Sequence, residues 1–131
     1  MKTYCKICFA VTLLSLIISS GCTTSSEYLT FEDQVKETVS KMINLLEQGN
    51  YYDLVRDYAD PEFVKEEGGV KEVLKDFSED DKGRLLKILK DTQEILPTVD
   101  RKNMTVTYMT EDFPQALVFR KIGGRWYLTN D

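Results

Sequence analysis

Histidine is absent from the 131-residue sequence. Its imidazole titrates closest to neutral pH, is the commonest metal ligand and is the usual base beside a catalytic serine or cysteine. Its absence excludes Ser-His and Cys-His dyads, so acid–base chemistry would fall to a carboxyl group with a shifted pKa, which a tyrosine could assist. The sequence therefore names no catalytic residue.

Basic residues are fewer than acidic ones. Lysine and arginine together number 17 against 22 aspartates and glutamates, which gives a formal net charge of −5. Nucleic-acid binding and electrostatic docking on anionic lipid both depend on a basic surface. We therefore expect no nucleic-acid partner and no electrostatic attachment to a membrane.

The chain has no apolar run long enough to cross a membrane. Its clearest run, Ile7–Ile18, has about a dozen residues, whereas a bilayer core of about 30 Å needs roughly 20 helical residues. Lys2 and Lys6 precede the run, and the small residues 19–21 follow it. A basic start, a short apolar middle and a small-residue end predict a signal peptide over residues 1–21.

The end of that segment, Ser19-Ser-Gly-Cys22, resembles a bacterial lipoprotein signal, in which the cysteine is lipidated and becomes the new N-terminus. Such signals more often carry leucine where Ser19 stands, and the alternative is an ordinary secretory signal followed by an incidental cysteine. The resemblance implies lipidation of Cys22 and attachment to a membrane of the cell envelope, facing the periplasm or the cell exterior. In some Gram-negative bacteria, an aspartate directly after the lipidated cysteine resembles an inner-membrane retention signal. Thr23 occupies that position here, which favours the outer membrane in a Gram-negative host.

The remaining cysteines lie in the predicted leader. Cys5 and Cys8 form a C-x-x-C motif, which in other settings indicates a redox or metal site, but here it would be removed with the leader. If Cys22 is lipidated, the mature chain has no free thiol and no disulfide. Loss of the leader also removes two lysines and no acid, which changes the net charge from −5 to −7.

Residues 22–29 are predicted to form a polar tether, and residues 30–131 to form one domain of a size that supports a single core. Apolar residues at spacings of three and four predict an amphipathic helix from Phe31 to Gln48. Further helices are predicted over residues 51–59, 61–67 and 70–77, followed by one that Ser78 begins and Pro97 ends.

Beyond Pro97 the apolar period changes to two, which is typical of strands. A strand is predicted over residues 104–109, and a hairpin that turns at Gly123-Gly124 would place Phe119 opposite Leu128. Thr98–Asp100 could add a fourth strand. The sequence thus predicts an α+β fold with N-terminal helices packed on a C-terminal antiparallel sheet of three to four strands.

Two short motifs carry a family resemblance: Gly49-Asn50-Tyr51 after the first helix, and Gly123-Gly124-Arg125-Trp126 in the final hairpin. They resemble the nuclear-transport-factor-2-like (NTF2-like) superfamily, which has a cone-shaped α+β fold. The resemblance implies a pocket between sheet and helices, where enzymatic members place histidine, aspartate and tyrosine. Residues 60–95 are more helical here than in that superfamily, so the pocket wall is expected to be altered or filled.

Six aromatic residues are candidates for lining such a pocket: Tyr51, Tyr52, Tyr58, Tyr108, Phe119 and Trp126. A mostly apolar pocket with a few polar tips suits small-molecule binding. The alternative is that most of these residues are simply core. Nearby acids, Asp53, Asp57 and Asp60, are explained as helix-surface or capping residues.

Acidic clusters at Glu66-Glu67, Asp76 and residues 79–81 raise the question of a metal site. A calcium loop needs oxygen ligands at alternating positions around a glycine turn, and that spacing is absent. Acids near helix starts are favoured by the helix dipole in any case. The sequence predicts neither a metal nor a cofactor.

These observations predict a lipid-anchored, non-enzymatic binding or accessory module of the cell envelope. One alternative is a small-molecule carrier, or an enzyme, that uses the pocket between sheet and helices. Another is a structural module that docks on a larger complex or on its own copy. The expected partners are the membrane through the N-terminal lipid and either an envelope protein or a small apolar ligand.

Overall fold

The computed structural model describes residues 29–109, 111 and 115–129. From Phe31 onward these residues belong to one structural unit. The predicted signal peptide and Cys22 lie outside the described residues. In the part of the chain that is described, no helix has the length and apolar character needed to cross a membrane.

Five helices precede four strands. The helices are α1 (Phe31–Glu47), α2 (Tyr51–Tyr58), α3 (Pro61–Glu66), α4 (Val70–Asp76) and α5 (Glu79–Thr92). The strands are β1 (Thr98–Asp100), β2 (Thr105–Tyr108), β3 (Leu117–Ile122) and β4 (Arg125–Thr129). Helices followed by strands confirm the predicted α+β class.

Helix α1 follows the predicted apolar pattern. Its buried residues recur every three or four positions, so they form one stripe that faces the sheet: Val35, Val39, Met42, Ile43 and Leu46. The helix ends in two nested hydrogen bonds, an outer one from Asn50 N to Leu45 O (2.9 Å) and an inner one from Gly49 N to Leu46 O (3.1 Å). This Schellman arrangement satisfies carbonyls that the helix leaves unpaired and directs the chain into α2.

Side-chain caps begin α2, α3 and α5, whereas α4 begins at Gly69 without one. Asn50 accepts a hydrogen bond from Asp53 N for α2, and Asp60 accepts one from Glu62 N for α3. At α5, Ser78 and Asp81 form a reciprocal capping box in which each side chain bonds the other residue's backbone amide. These caps explain three of the four points after α1 at which the chain begins a new helix.

Helix α5 ends at Thr92, earlier than the predicted stop at Pro97. The next three residues make tighter bonds to the carbonyl three positions back, for example from Ile95 N to Thr92 O at 3.3 Å. The buried Thr92 hydroxyl donates to Leu89 O at 2.7 Å. The final turn therefore tightens before proline is reached, as helix ends commonly do.

The four strands form one antiparallel sheet in the order β1-β2-β3-β4. The predicted hairpin register is confirmed, with Phe119 opposite Leu128 and Lys121 opposite Trp126. Gly123 and Gly124 have φ angles of 57° and 82°, the left-handed values that a two-residue turn of this kind requires. Thr98–Asp100 is the fourth strand, paired with β2.

The core lies between one face of the sheet and the helices. Its buried members are Val35, Val39, Met42, Ile43, Leu46, Leu54, Leu89, Val106, Tyr108, Phe119 and Trp126. The rings of Tyr108 and Phe119 meet edge to face, as do those of Phe31 and Trp126. This core holds α1 on the sheet and α5 against α1, and α2 contacts β4.

Candidate ligand cavity

A cavity of about 290 Å³ lies between the helices and the last strand. All five helices or their junctions contribute to its wall, together with β4. The described residues that line it are Met42, Leu54, Val55, Tyr58, Ala59, Asp60, Phe63, Glu67, Val73, Asp76, Phe77, Leu85 and Leu128. Its volume is close to the lower end of the range of about 300–1,000 Å³ that is usual for ligand pockets.

The junction between α2 and α3 is attached to the edge of the sheet. Ala59 forms an isolated parallel bridge with Leu128, and Asp60 N donates to Leu128 O at 3.1 Å. Asp60 then caps α3 through Glu62 N at 2.9 Å. These bonds place Ala59, Asp60 and Leu128 side by side in the cavity wall.

A tight turn at Gly68 and Gly69 returns the chain from α3 to α4. Both glycines have positive φ angles, 93° and 112°, which a residue with a Cβ adopts only with strain. Gly69 N donates to Val64 O at 2.8 Å, which closes the turn. Because α4 follows directly, Val73 and Phe77 line the same cavity as Phe63.

An aromatic and cationic layer supports the wall at Phe77. The Tyr51 ring meets Phe77 edge to face, with centroids 6.2 Å apart. The Lys82 ammonium lies 4.2 Å from the centroid of Tyr51 and 5.9 Å from that of Phe77, and it pairs with Glu79 at 2.7 Å. These two rings therefore already hold one ammonium group by cation–π attraction.

The cavity lining is apolar apart from four residues. Tyr58 and Asp60 are half-buried, whereas Glu67 and Asp76 are exposed and therefore belong to the mouth. None of the described lining residues is basic, and none is serine, threonine or cysteine. The arrangement can enclose an apolar molecule beside negative charge, and it offers no pairing of a nucleophile with a base.

The six predicted pocket residues are in different places. Tyr58 lines the cavity. Tyr51 is half-buried and contacts Phe77 behind the wall, and Tyr52 is 45% exposed, with Arg56 5.9 Å from the centre of its ring. Tyr108, Phe119 and Trp126 are core residues on the sheet.

Phe63 and Phe77 are the aromatic lining residues that sequence reasoning missed. Both lie at or near short helices, α3 and α4, whose packing direction a pattern of six or seven residues does not define. The sequence predicts Asp60 as a cap; in the structure it caps α3 and also lines the cavity. The available signal was the Asp60-Pro61 restart, which marks where the chain turns around the cavity.

The neighbouring acids Asp53 and Asp57 are engaged on the helix surface. Both pair with Arg56, each at 2.9 Å. The hydrogen bonds from Arg56 hold the pKa of Asp57 below its usual value, with a smaller contribution from the charge of Arg125. Neither acid is among the lining residues.

Tyr108 is the buried polar group without a partner among the described residues. Its side chain is 1% exposed, and its hydroxyl makes no hydrogen bond with them. Burial, with a smaller contribution from the charge of Glu32, raises its pKa to about 12. It is not among the residues that line the cavity, so it adds no polar group there.

The acidic clusters considered in the sequence do not assemble. Within the described residues, no three acidic, histidine or cysteine side chains are grouped closely enough to hold a metal ion. Comparison with known proteins adds no relative, since no family model, curated protein or solved structure matches the chain. The cavity is therefore the feature on which a functional proposal depends.

Proposed function

We propose that this chain is a lipid-anchored, non-enzymatic binding module of the cell envelope that takes a small, mostly apolar molecule into its cavity. The observation that carries the proposal is the cavity itself, about 290 Å³ in volume and bounded by helices and β4. Burial of an apolar ligand there would be favoured by about 25 cal/mol for each Å² removed from water.

The chemistry of the wall favours binding over catalysis. Nine of the described lining residues are apolar, and the polar ones are one phenol and three carboxylates. An enzyme would need a nucleophile, a matched acid and base, or a stabilised charge in the reacting position. The sequence supplies no histidine for this purpose.

The NTF2-like assignment belongs to the same proposal. It is supported by helices that precede an antiparallel meander, by the Gly49-Asn50 junction between α1 and α2, and by the closing hairpin. The extra short helices α3 and α4 lie where the sequence departs from the superfamily. They are also the elements that build one wall of the cavity.

Lipidation at Cys22 would hold the domain at the membrane surface. Each buried methylene contributes about 0.8 kcal/mol, and durable anchoring needs more than one acyl chain. Metabolic labelling with a fatty acid tests this, with Cys22→Ser as the variant and Ser25→Ala as the control. Label and membrane association should be lost in the first and retained in the second, and a labelled Cys22→Ser protein would refute the anchor.

The binding proposal is tested by native mass spectrometry of the protein extracted gently from its host membrane. We expect an additional mass of a few hundred daltons that is lost in Val73→Trp, because the indole would fill the cavity. Gln48→Trp, at an exposed position directly after α1, is the matched control. A wild-type protein that consistently carries no small molecule under these conditions would contradict the proposal.

A second candidate function is docking through the edge of the sheet at β1. Leu96 and Met109 are 84% and 75% exposed, and Val99 in β1 is also exposed. The register of β1 and β2, extended by two residues, places Leu96 beside Met109. Sedimentation of the wild type against Leu96→Asp tests whether this edge pairs with a second copy, since the charge would separate the two chains.

A further inference from the structure

We infer that the ligand of the cavity is a small organic cation with an apolar body, such as an aryl or alkyl ammonium compound. This rests on the proposed function, because it specifies what kind of molecule the cavity selects. Three carboxylate residues, Asp60, Glu67 and Asp76, are among the described lining residues, and none of those lining residues is basic. The negative charge of the lining is therefore not neutralised within the lining itself.

The position of these acids suits a ligand with one charged end. Asp60 is half-buried at the sheet edge, where its contact with Glu62 N fixes its carboxylate. Glu67 and Asp76 are exposed at the mouth. An apolar body can thus occupy the enclosed part while an ammonium group stays near carboxylates and water, which avoids the cost of burying an unpaired charge.

The aromatic lining residues support the same ligand charge. Tyr58, Phe63 and Phe77 are all in the wall, and ring faces attract cations. Phe77 and its neighbour Tyr51 already contact the Lys82 ammonium, at 5.9 Å and 4.2 Å from their centroids. An anion would meet three carboxylates and ring faces of the wrong polarity.

A metal ion does not fit this arrangement. Within the described residues, no three acidic side chains are grouped closely enough to coordinate one ion. The apolar residues that make up most of the lining would also provide no ligand atoms or hydrogen-bond partners for a hydrated metal ion. An organic cation would interact with both the apolar walls and the carboxylates.

The test uses three probes with nearly the same body: 2-phenylethylamine, 2-phenylethanol and phenylacetate. Binding to the full lipidated protein in phosphatidylcholine nanodiscs is measured by titration calorimetry, with empty nanodiscs as the blank. We expect the amine to bind at least about fivefold more tightly than the alcohol, from modest attraction to partly exposed carboxylates, and the acid not to bind. Val73→Trp, and the smaller filling change Leu85→Phe, should both weaken the amine.

Charge selection is tested by a matched pair of triple variants. D60N/E67Q/D76N removes the three lining carboxylates, and asparagine still caps α3. E37Q/D80N/E94Q removes the same total charge from exposed residues that do not line the cavity. The first variant should lose the preference for the amine and the second should keep it.

The outcomes separate this inference from the function on which it depends. Equal binding of amine and alcohol would overturn cation selection while leaving an apolar binding cavity in place. Loss of preference in both triple variants would assign the effect to overall charge and would also overturn it. If no probe binds although a small molecule is present in the native protein, the ligand class is wrong and the binding function stands.

Discussion

The indole nitrogen of Trp126 donates a hydrogen bond to the side-chain oxygen of Gln34 at 3.0 Å. The same oxygen accepts a second bond, also 3.0 Å, from the Lys121 ammonium. Trp126 and Lys121 are opposite each other on β4 and β3, and Gln34 is in the first turns of α1. One amide oxygen thus joins the first helix to the two final strands.

Replacement of Gln34 should therefore cost more than an ordinary substitution at a partly exposed helix position. Trp126 is 6% exposed, so Gln34→Met would leave its buried N–H without this acceptor. We expect a loss of about 1–3 kcal/mol in the free energy of unfolding, measured by urea unfolding with the single tryptophan as fluorophore. Gln34→Glu retains an acceptor and should lose less, and equal losses for both would contradict the assignment.

Removal of the Tyr108 hydroxyl, in contrast to replacement of Gln34, should not reduce stability. Because this buried group has no partner among the described residues, Tyr108→Phe should leave stability unchanged or raise it. Tyr108→Ala should cost about 3–5 kcal/mol through the cavity that it creates. A loss above about 1 kcal/mol in the phenylalanine variant would show that the hydroxyl has a partner, and thermal unfolding of both variants distinguishes these outcomes.

Replacement of two glycines by alanine should change the stability of the protein in opposite directions. Gly124 has a φ angle of +82°, so Gly124→Ala should lose about 1–3 kcal/mol through backbone strain. Gly83 lies inside α5 with open space around an added Cβ, so Gly83→Ala should gain about 0.5–1 kcal/mol. Chemical unfolding of the pair provides the test, and a gain at Gly124 would contradict the observed turn.

The capping box predicts part of the pH dependence of stability. Hydrogen bonds from the Ser78 side chain and backbone hold the pKa of Asp81 below its usual value. A carboxyl group whose folded-state pKa is depressed stabilises the protein above its unfolded pKa, and this stabilisation is lost as pH falls through the folded value. The protein should therefore lose stability as the pH is lowered below about 4.

Ser78→Ala should make this acid dependence shallower, because it removes the side-chain bond that contributes most to the shift. Ser40→Ala is the control, since the Ser40 hydroxyl donates to a backbone carbonyl. Melting temperatures at pH 6 and pH 3 provide the comparison. An unchanged difference in Ser78→Ala would mean that other acids determine the acid response.

Much of the fold could be predicted because its signals are local. The α1 stripe, the Asp60-Pro61 restart and the Gly123-Gly124 turn each depend on residues close in sequence. The hairpin register then follows from counting away from the turn. The early end of α5 at Thr92 was less predictable, because tightening of the last turn is a response to packing.

The cavity could not be predicted in the same way. Its wall brings together Met42, Phe63, Phe77 and Leu128, which are distant in sequence and lie on elements of different type. Tyr108, Phe119 and Trp126 have the same aromatic character as pocket residues but are core. Composition shows that aromatic side chains will be enclosed, whereas the packing of α3 and α4 decides which of them border a space.

The bridge between Ala59 and Leu128 also limits how copies of this domain can assemble. With Asp60 N bonded to Leu128 O, the outer side of β4 has less free backbone for another chain, while the order of the sheet leaves β1 at its other edge. Head-to-tail addition needs two available edges, but pairing of β1 with β1 uses one edge from each copy and then stops. If copies of this domain associate through their sheet edges, we therefore expect closed pairs and not open-ended fibres.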